Sequence, residues 1–366
     1  MAQTSRLFEP LVFPHGLAMK NRFALAPLTN QQSHADGRLS DEEFRWLVMR
    51  AEGGFGLTMT CAAHVQAQGQ GFPGQLGVFS DDHLEGLTRL ASAIKAQDSL
   101  AFVQLHHAGI RSPAELIKTQ PVGPSDDAET GARALSETEV EQLIEDFVAA
   151  AVRSQKAGFD GVEIHGAHGY ILCAFLSPTL NQRTDRFGGS LENRARPILE
   201  IMHGIRQRCG ERFGLGLRLS PERFGLQLAE IRDLAQQVLR DGALDFLDMS
   251  LWDVGKEPQE EAFKGRSLMS YFTELDRGRT ALGAAGKIMS AQASAECLEK
   301  GLDFVLLGRA AILHHDFPKL AQANAQFTTR PLPVSPAELG REGLSPSFQQ
   351  YMRNWPGFVA EETEPA

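Results

Sequence analysis

DGVEIHGAHGY, residues 160–170, changes character halfway along. Val162 and Ile164 alternate with Glu163 and His165, the period-two pattern of a strand, and the run then breaks into glycine with His168 and Tyr170 behind it. Two imidazoles and a phenol at the mouth of a strand are consistent with a metal site, a nucleophile's base or a grip on a substrate oxygen. Which of these applies depends on what the neighbouring elements bring to the same place, so the fold must be read first.

On both sides of this stretch the chain alternates strand-like and helix-like segments. The strand candidates are RFALAPLT (22–29), GLTMTCAA (56–63), LAFVQLHH (100–107), GVEIH (161–165), LGLRLS (215–220), LDFLDMS (244–250), TALGAA (280–285) and DFVLL (303–307). The seventh is so rich in Ala and Gly that its place in the series argues for it more than its composition. Between them lie helices with legible starts. Ser40 with Glu43, and Ser136 with Glu139, have the spacing of a capping box, in which the serine oxygen and the glutamate satisfy free amides. After Ser136, the residues Val140, Leu143, Ile144, Phe147, Val148 and Ala151 recur at the spacing of one buried helix face, and Gly158 ends that helix.

Strands that alternate with helices imply a parallel sheet. Eight such units imply an α/β chain folded as a closed (β/α)8 TIM barrel, which takes about 250 residues. The remainder is assigned to three segments. Residues 1–21, with a turn at His15-Gly16, are expected as an N-terminal hairpin closing the barrel's bottom. Residues 177–190 form a polar loop, and residues 326–366 a Pro-rich C-terminal extension ending in FQQYMRNWPGF, whose aromatics are expected to dock on this barrel or a neighbour's. No internal repeat or linker is visible, so 1–366 is expected to be a single domain.

Composition narrows the class. Hydrophobic residues make up 42% and charged residues 22%, as in a globular enzyme. A net charge of −10 argues against nucleic acid as partner. No apolar run approaches the roughly 20 residues that span a bilayer. MAQTSRLFEPLVFP places a proline and an acid where a secretory signal needs an apolar core, so a cytoplasmic location is expected. The cysteines (Cys61, Cys173, Cys209 and Cys297) include no C-x-x-C pair, which removes iron–sulfur clusters and zinc ribbons and predicts small buried apolar side chains.

In such a barrel the chemistry sits at the C-terminal ends of the strands. The first strand ends in Ala26, Pro27, Leu28 and Thr29, and the second in Cys61-Ala62; the third carries Gln104 and the fifth Arg218. The seventh runs into Gly286-Lys287 and the eighth into Gly308-Arg309, where barrels commonly hold a phosphate. An apolar patch of Ala26, Pro27, Leu28 and Ala62 beside the donors Thr29, Gln104 and Arg218 suits a flat heteroaromatic ring, so FMN would fit. Read without that ring, Arg218 is a barrel-interior ion pair with Glu163, and His165 and His168 are structural histidines or the start of a zinc site whose remaining ligands no other cluster supplies.

Four segments, MKNRFALAPLT (19–29), VQLHHAG (103–109), DGVEIHGAHGYILCAFLSPTLNQRTDRFGGSLENRAR (160–196) and LLGRAAI (306–312), resemble the old yellow enzyme family of FMN-dependent NAD(P)H:flavin oxidoreductases and ene-reductases. The likeness runs from about residue 7 to residue 320. It implies that Ala26, Pro27, Leu28, Thr29, Ala62 and Gln104 contact a non-covalent flavin, that Arg218 faces its N1–C2 carbonyl edge, and that Gly286, Gly308 and Arg309 hold its phosphate. Lys287 stands where many relatives have a small residue. The same likeness implies that His165 and His168 bind a carbonyl or nitro oxygen of an electrophilic small-molecule substrate, and that Tyr170 is the proton donor. NADH or NADPH would be the reductant, with ping-pong kinetics. Some relatives have a cysteine at the position of Thr29 or an aromatic near Gln31, and some form homo-oligomers that lend an arginine from a neighbour's tail, a role open to Arg341 or Arg353 here. The alternatives are a flavin-dependent quinone or nitro-compound reductase, a flavin-binding sensor, and a metal-dependent TIM-barrel hydrolase using His165 and His168. A barrel joined to a cysteine cluster and further nucleotide domains would need cysteines beyond Cys297, and none follows.

Overall fold

The computed structural model describes residues 3–361. Eight parallel strands close into a barrel in chain order: β1 (Phe23–Leu25), β2 (Leu57–His64), β3 (Leu100–His106), β4 (Gly161–Gly166), β5 (Gly214–Leu219), β6 (Phe246–Ser250), β7 (Ala281–Ala285) and β8 (Phe304–Leu307). All eight sequence-predicted strands are present, including the Ala- and Gly-rich β7, which pairs with β6 over its length and with β8 through Gly283, Ala284 and Ala285. Strands buried on both faces need continuous apolar runs, and β2 is buried at every position.

Helices cover the outside, each turning an apolar stripe to the strands. In Glu137–Lys156 that stripe is Val140, Leu143, Ile144, Phe147, Val148 and Ala151, all buried. Ser136 and Glu139 make the reciprocal cap that their spacing predicts. Ser40 completes only half of its box: its oxygen accepts from the Glu43 amide, but the Glu43 carboxylate turns inward and is bonded by Asn30 and Ser33 instead. The side-chain donors of Asn30 and Ser33 outcompete the Ser40 backbone amide for that carboxylate.

The predicted hairpin is present. Leu11–Val12 pairs antiparallel with Ala18–Met19, and its turn is anchored by His15 Nδ1, 3.0 Å from Asp245. It drives Phe13 into the barrel's N-terminal end, where Phe13 lies 5.5 Å from Phe246, and Phe246 5.5 Å from Phe304 and 5.7 Å from Phe102. The rings fit because the strands thin out beneath them. A Cβ on Gly216 would come within 2.3 Å of Phe246, and one on Gly283 within 2.4 Å of Phe304.

The C-terminal extension docks on its own barrel. It forms two short helices, Pro336–Arg341 and Pro346–Met352. Phe348 is fully buried, edge-on to Trp46 at 5.4 Å. The Ser345 amide donates to Gln32 (3.0 Å) and the Ser347 hydroxyl to the Gln31 carbonyl (3.2 Å). The tail therefore lies across the loop after β1, at the C-terminal face of the barrel.

Candidate active site

At that face the strand ends enclose a cavity of about 470 Å³, within the range of small-molecule sites. Its wall includes Ala26, Pro27, Leu28 and Thr29 after β1, Ala62 and Gln104 from β2 and β3, His165 from β4, and His168 and Tyr170 from the turn after it. Arg218 from β5, Gly286 and Lys287 after β7, and Gly308 and Arg309 after β8 complete the set. Every residue singled out at the strand ends except Cys61 lies on this one wall. Sequence reasoning missed the loop and tail residues Arg111, Arg223, Phe224, Trp252, Tyr351 and Trp355, and Ser250 at the end of β6. Only the position of Ser250, at a strand terminus, could have found it from sequence.

Strand register accounts for the polar partners. Gln104 on β3 is level with Glu163 on β4, and its amide donates to that carboxyl at 2.6 Å. Arg218 is level with Asp248 on β6, and the two form an ion pair at 3.1 Å, both buried. This replaces the alternative Arg218–Glu163 pair: Glu163 lies opposite Gly216, two residues back, and its hydrogen bond goes to Gln104. Burial, then the adjacent Asp248 carboxylate, pushes the Glu163 carboxyl well up, and burial raises Asp248 against the pull of Arg218. Two carboxyls beside one guanidinium thus favour retaining one proton, which leaves the cluster close to neutral.

His165 and His168 lie side by side, His165 Nε2 being 3.3 Å from His168 Nδ1. His168 Nε2 is 2.7 Å from the Ser250 hydroxyl, and the Ala167 amide donates to His165 Nδ1. That last bond fixes the tautomer with the proton on His165 Nε2, a donor facing its neighbour. Burial holds His165 well below its ordinary range and brings His168 down to about 3, with Arg218, Arg111 and Arg223 adding to the effect. Both rings are neutral donors at physiological pH. His168 takes a left-handed backbone (φ 63°), held there by its amide's bond to Ser220 and by Arg111, which donates to its carbonyl.

The Tyr170 ring is edge-on to His106 (4.3 Å) and His165 (5.2 Å), with the Arg111 guanidinium 4.8 Å from its centroid. Burial raises the phenol's pKa, opposed by the Arg111 charge, so Tyr170 holds its proton. Cys173, one turn further on, is buried with its thiol pushed up to about 12, which leaves it an inert packing residue. Among the described residues no three His, Cys, Asp or Glu side chains gather as metal ligands.

The rim after β7 and β8 is cationic. Lys287 pairs with Asp253 at 3.0 Å, and Arg309, which makes no ion pair of its own among the described residues, adds its charge to the pull on that carboxylate. The tail forms part of the wall through Tyr351, Met352 and Trp355. Burial raises the Tyr351 phenol's pKa, and the Thr29 side chain is close enough to lower it against that rise. Arg341 and Arg353 are exposed, and neither lines this cavity. An apolar floor beside a hydroxyl, an amide and a buried guanidinium, ending in a free arginine, has the donor set that a flat ring carrying a phosphate requires.

A closed parallel barrel with this ring-and-phosphate cavity at its C-terminal face defines a flavin-dependent barrel oxidoreductase. Residues 6–327 match the NADH:flavin oxidoreductase / NADH oxidase family, and the chain belongs to that family, the FMN-dependent group of old yellow enzyme type. It is 41% identical over 318 residues to the probable NADH-dependent flavin oxidoreductase YqiG of Bacillus subtilis, covering 84% of this chain and 85% of that protein. Its fold superposes on the old yellow enzyme homologue from Zymomonas mobilis with a TM-score of 0.78 and 27% identity, over 91% of this chain and 96% of the other. Against 2-naphthoyl-CoA reductase the TM-score is 0.80 at 25% identity, over 88% of this chain, which spans only 53% of that one.

Proposed function

We propose that the protein is an ene-reductase, which takes reducing equivalents from NADH or NADPH and reduces the double bond of an enone, maleimide or nitroalkene. The observation that carries this reading is that two neutral histidine donors and a protonated phenol share one cavity with Thr29, Gln104, Arg218 and Arg309. FMN, when bound, supplies a two-electron carrier that reductant and acceptor use in turn, in the ping-pong manner.

The residues divide the remaining work. Ala26, Pro27, Leu28 and Ala62 would lie against the ring, with Thr29, Gln104 and Arg218 on its polar edge and Gly286, Lys287, Gly308 and Arg309 at the phosphate end. His165 and His168 would hold the acceptor's oxygen. Fixed neutral donors stabilise the charge that grows there more than the ground state, which lowers the barrier. Tyr170 would deliver the proton to the α-carbon as general acid. The whole chain, 1–366, is read as a single FMN-binding unit, the tail helping to shut water out of the cavity. A cytoplasmic setting is consistent with four cysteines that are all free thiols. A zinc hydrolase at His165 and His168 lacks a third ligand among the described residues.

The test is an absorbance spectrum of the purified protein before and after anaerobic NADH or NADPH. A flavin band that bleaches and returns on adding 2-cyclohexenone supports carrier, donor and acceptor class together. Return only with quinone or oxygen would discard the alkene, and a colourless protein that takes up no FMN would overturn the reading.

A further inference from the structure

The chain carries a net charge of −10, yet the cavity wall contains no aspartate or glutamate. Its ionisable cations are Arg111, Arg218, Arg223, Lys287 and Arg309. Arg218 and Lys287 are neutralised by Asp248 and Asp253, and Arg309 belongs to the phosphate rim. Arg111 and Arg223 remain. Among the described residues neither has a carboxylate partner, and both stand close enough to His168 to depress its protonation.

Arg223 belongs to a fixed shelf at the mouth. Its guanidinium lies 5.3 Å from the Phe224 ring and 5.6 Å from the Trp252 ring. Arg223, Phe224 and Trp252 all have left-handed backbones (φ 70°, 54° and 66°). For residues of this size that conformation persists only where the surroundings impose it. Two such surroundings are visible. The buried Glu222 binds Lys256 and accepts from the Gln259 amide at 2.8 Å, so the loops after β5 and β6 are clamped together and the one acid of this segment is turned away from the mouth. Phe224 packs on Gly169, where a Cβ would come within 2.8 Å of its ring. The shelf therefore abuts the turn that carries His168 and Tyr170. Trp252 is nevertheless 60% exposed, the most exposed aromatic among the described residues. Its flat face is open to whatever extends out of the cavity.

We propose that Arg223, with Arg111 beside it, is an anion subsite for a ligand whose reacting end lies under His165 and His168 and whose flat body runs across Phe224 and Trp252. The ligand class is a planar molecule with a carboxylate or phosphate on the arm remote from its reacting carbon. That anion has two sources, the acceptor itself or the phosphates of the nicotinamide reductant. This inference rests on the flavin reading of the cavity and adds its charge selectivity.

The test compares 4-phenyl-3-buten-2-one with its para-carboxylate, and NADPH with the uncharged 1-benzyl-1,4-dihydronicotinamide, in separate half-reactions of the FMN-loaded protein. Equilibrium binding is read in parallel from tryptophan fluorescence. The carboxylate should bind roughly five- to tenfold tighter than its parent, as one partly exposed charge contact with a second cation nearby allows. High salt should erase that preference, and Arg223→Gln should abolish it while Arg223→Lys restores part of it. A loss in Arg223→Gln confined to NADPH assigns the subsite to the reductant, and a loss confined to the carboxylated enone assigns it to the acceptor. Equal affinities within both pairs, unchanged by Arg223→Gln while the neutral enone still recolours the flavin, overturn the subsite and leave the flavin reading standing. A protein that binds no FMN would fail at the earlier step.

Discussion

At the N-terminal end of the barrel, Phe13, Phe102, Phe246 and Phe304 pack ring against ring in one apolar cluster, over strands thinned by Gly216 and Gly283. At the C-terminal end, His165, His168, Tyr170 and Arg218 crowd a cavity, and much of the backbone's left-handed geometry gathers around them. Of the eight non-glycine residues with positive φ among the described residues, five (His168, Arg223, Phe224, Trp252 and Lys287) line the cavity, a sixth, Gln31, follows close behind Thr29, and none belongs to the aromatic plug. Each such residue costs on the order of 1 kcal/mol. The plug supplies stability from area and fit, which lets the other end keep strained backbone and desolvated histidines.

If the two ends divide the work in this way, substitutions should separate the two properties. The largest effect is expected from Tyr170→Phe. It should slow the alkene half-reaction by roughly 10²–10⁴, the range for a lost general acid, and leave flavin reduction by NAD(P)H and the melting temperature nearly unchanged. Rapid-mixing kinetics on each half-reaction decide this, and an unaffected alkene step would remove Tyr170 as the proton donor. Phe246→Ala is the converse. Removing the ring at the centre of the plug should cost about 3–5 kcal/mol in denaturant unfolding. The FMN bound per folded molecule should not change, and a selective loss of FMN would break the comparison.

Acid should act on the C-terminal end first. Burial brings His64 to about 4 and His107 and His168 to about 3, against 6.5 for an ordinary histidine, while His106 and His165 also lie well below it. Unfolding exposes these rings to protonation, so the unfolded chain binds more protons anywhere between the two values. Stability is therefore complete above about 6.5 and falls as the pH drops below it, by up to ~1.4 kcal/mol per pH unit for each ring. Unfolding free energies measured between pH 6.5 and 5 against a Glu163→Gln control, which removes the opposing titration of the raised Glu163–Asp248 pair, isolate this contribution. A flat profile there would mean that the histidines are far better solvated than their burial indicates.

The same division governs how much was legible in the sequence. The eight strands, the helix stripe from Val140 to Ala151 and the hairpin could be read because burial writes itself as periodicity and turns as His15-Gly16. The strand-end residues could be read because a closed barrel delivers every C-terminal strand end to one face. Partners across strands could not. The competing reading of Arg218, an ion pair with Glu163, is decided only by the register, which places Asp248 level with Arg218. Glu43 had the spacing of a cap, yet Asn30 and Ser33 take its carboxylate, a tertiary competition that no local pattern encodes. The shelf was invisible for a further reason. Arg223, Phe224 and Trp252 sit on irregular loops, where neither a period of 2 nor one of 3.6 applies.

The tail tests whether the functional end is built by one chain. Tyr351 reaches the cavity because Phe348 is buried against Trp46 of the same chain, and Thr29 lies close enough to lower the Tyr351 phenol's pKa against the rise from burial. A double-mutant cycle with Tyr351→Phe and Thr29→Val should give a coupling of about 0.5–1.5 kcal/mol, the worth of one hydrogen bond. Because the contact is intramolecular, that coupling should not change with protein concentration. A neighbour's tail would give a coupling that vanishes on dilution along with the oligomer, since binding between chains adds stability only by mass action. The effect is small, but it is the one measurement of these that separates a cavity closed by its own chain from a cavity completed by a second copy.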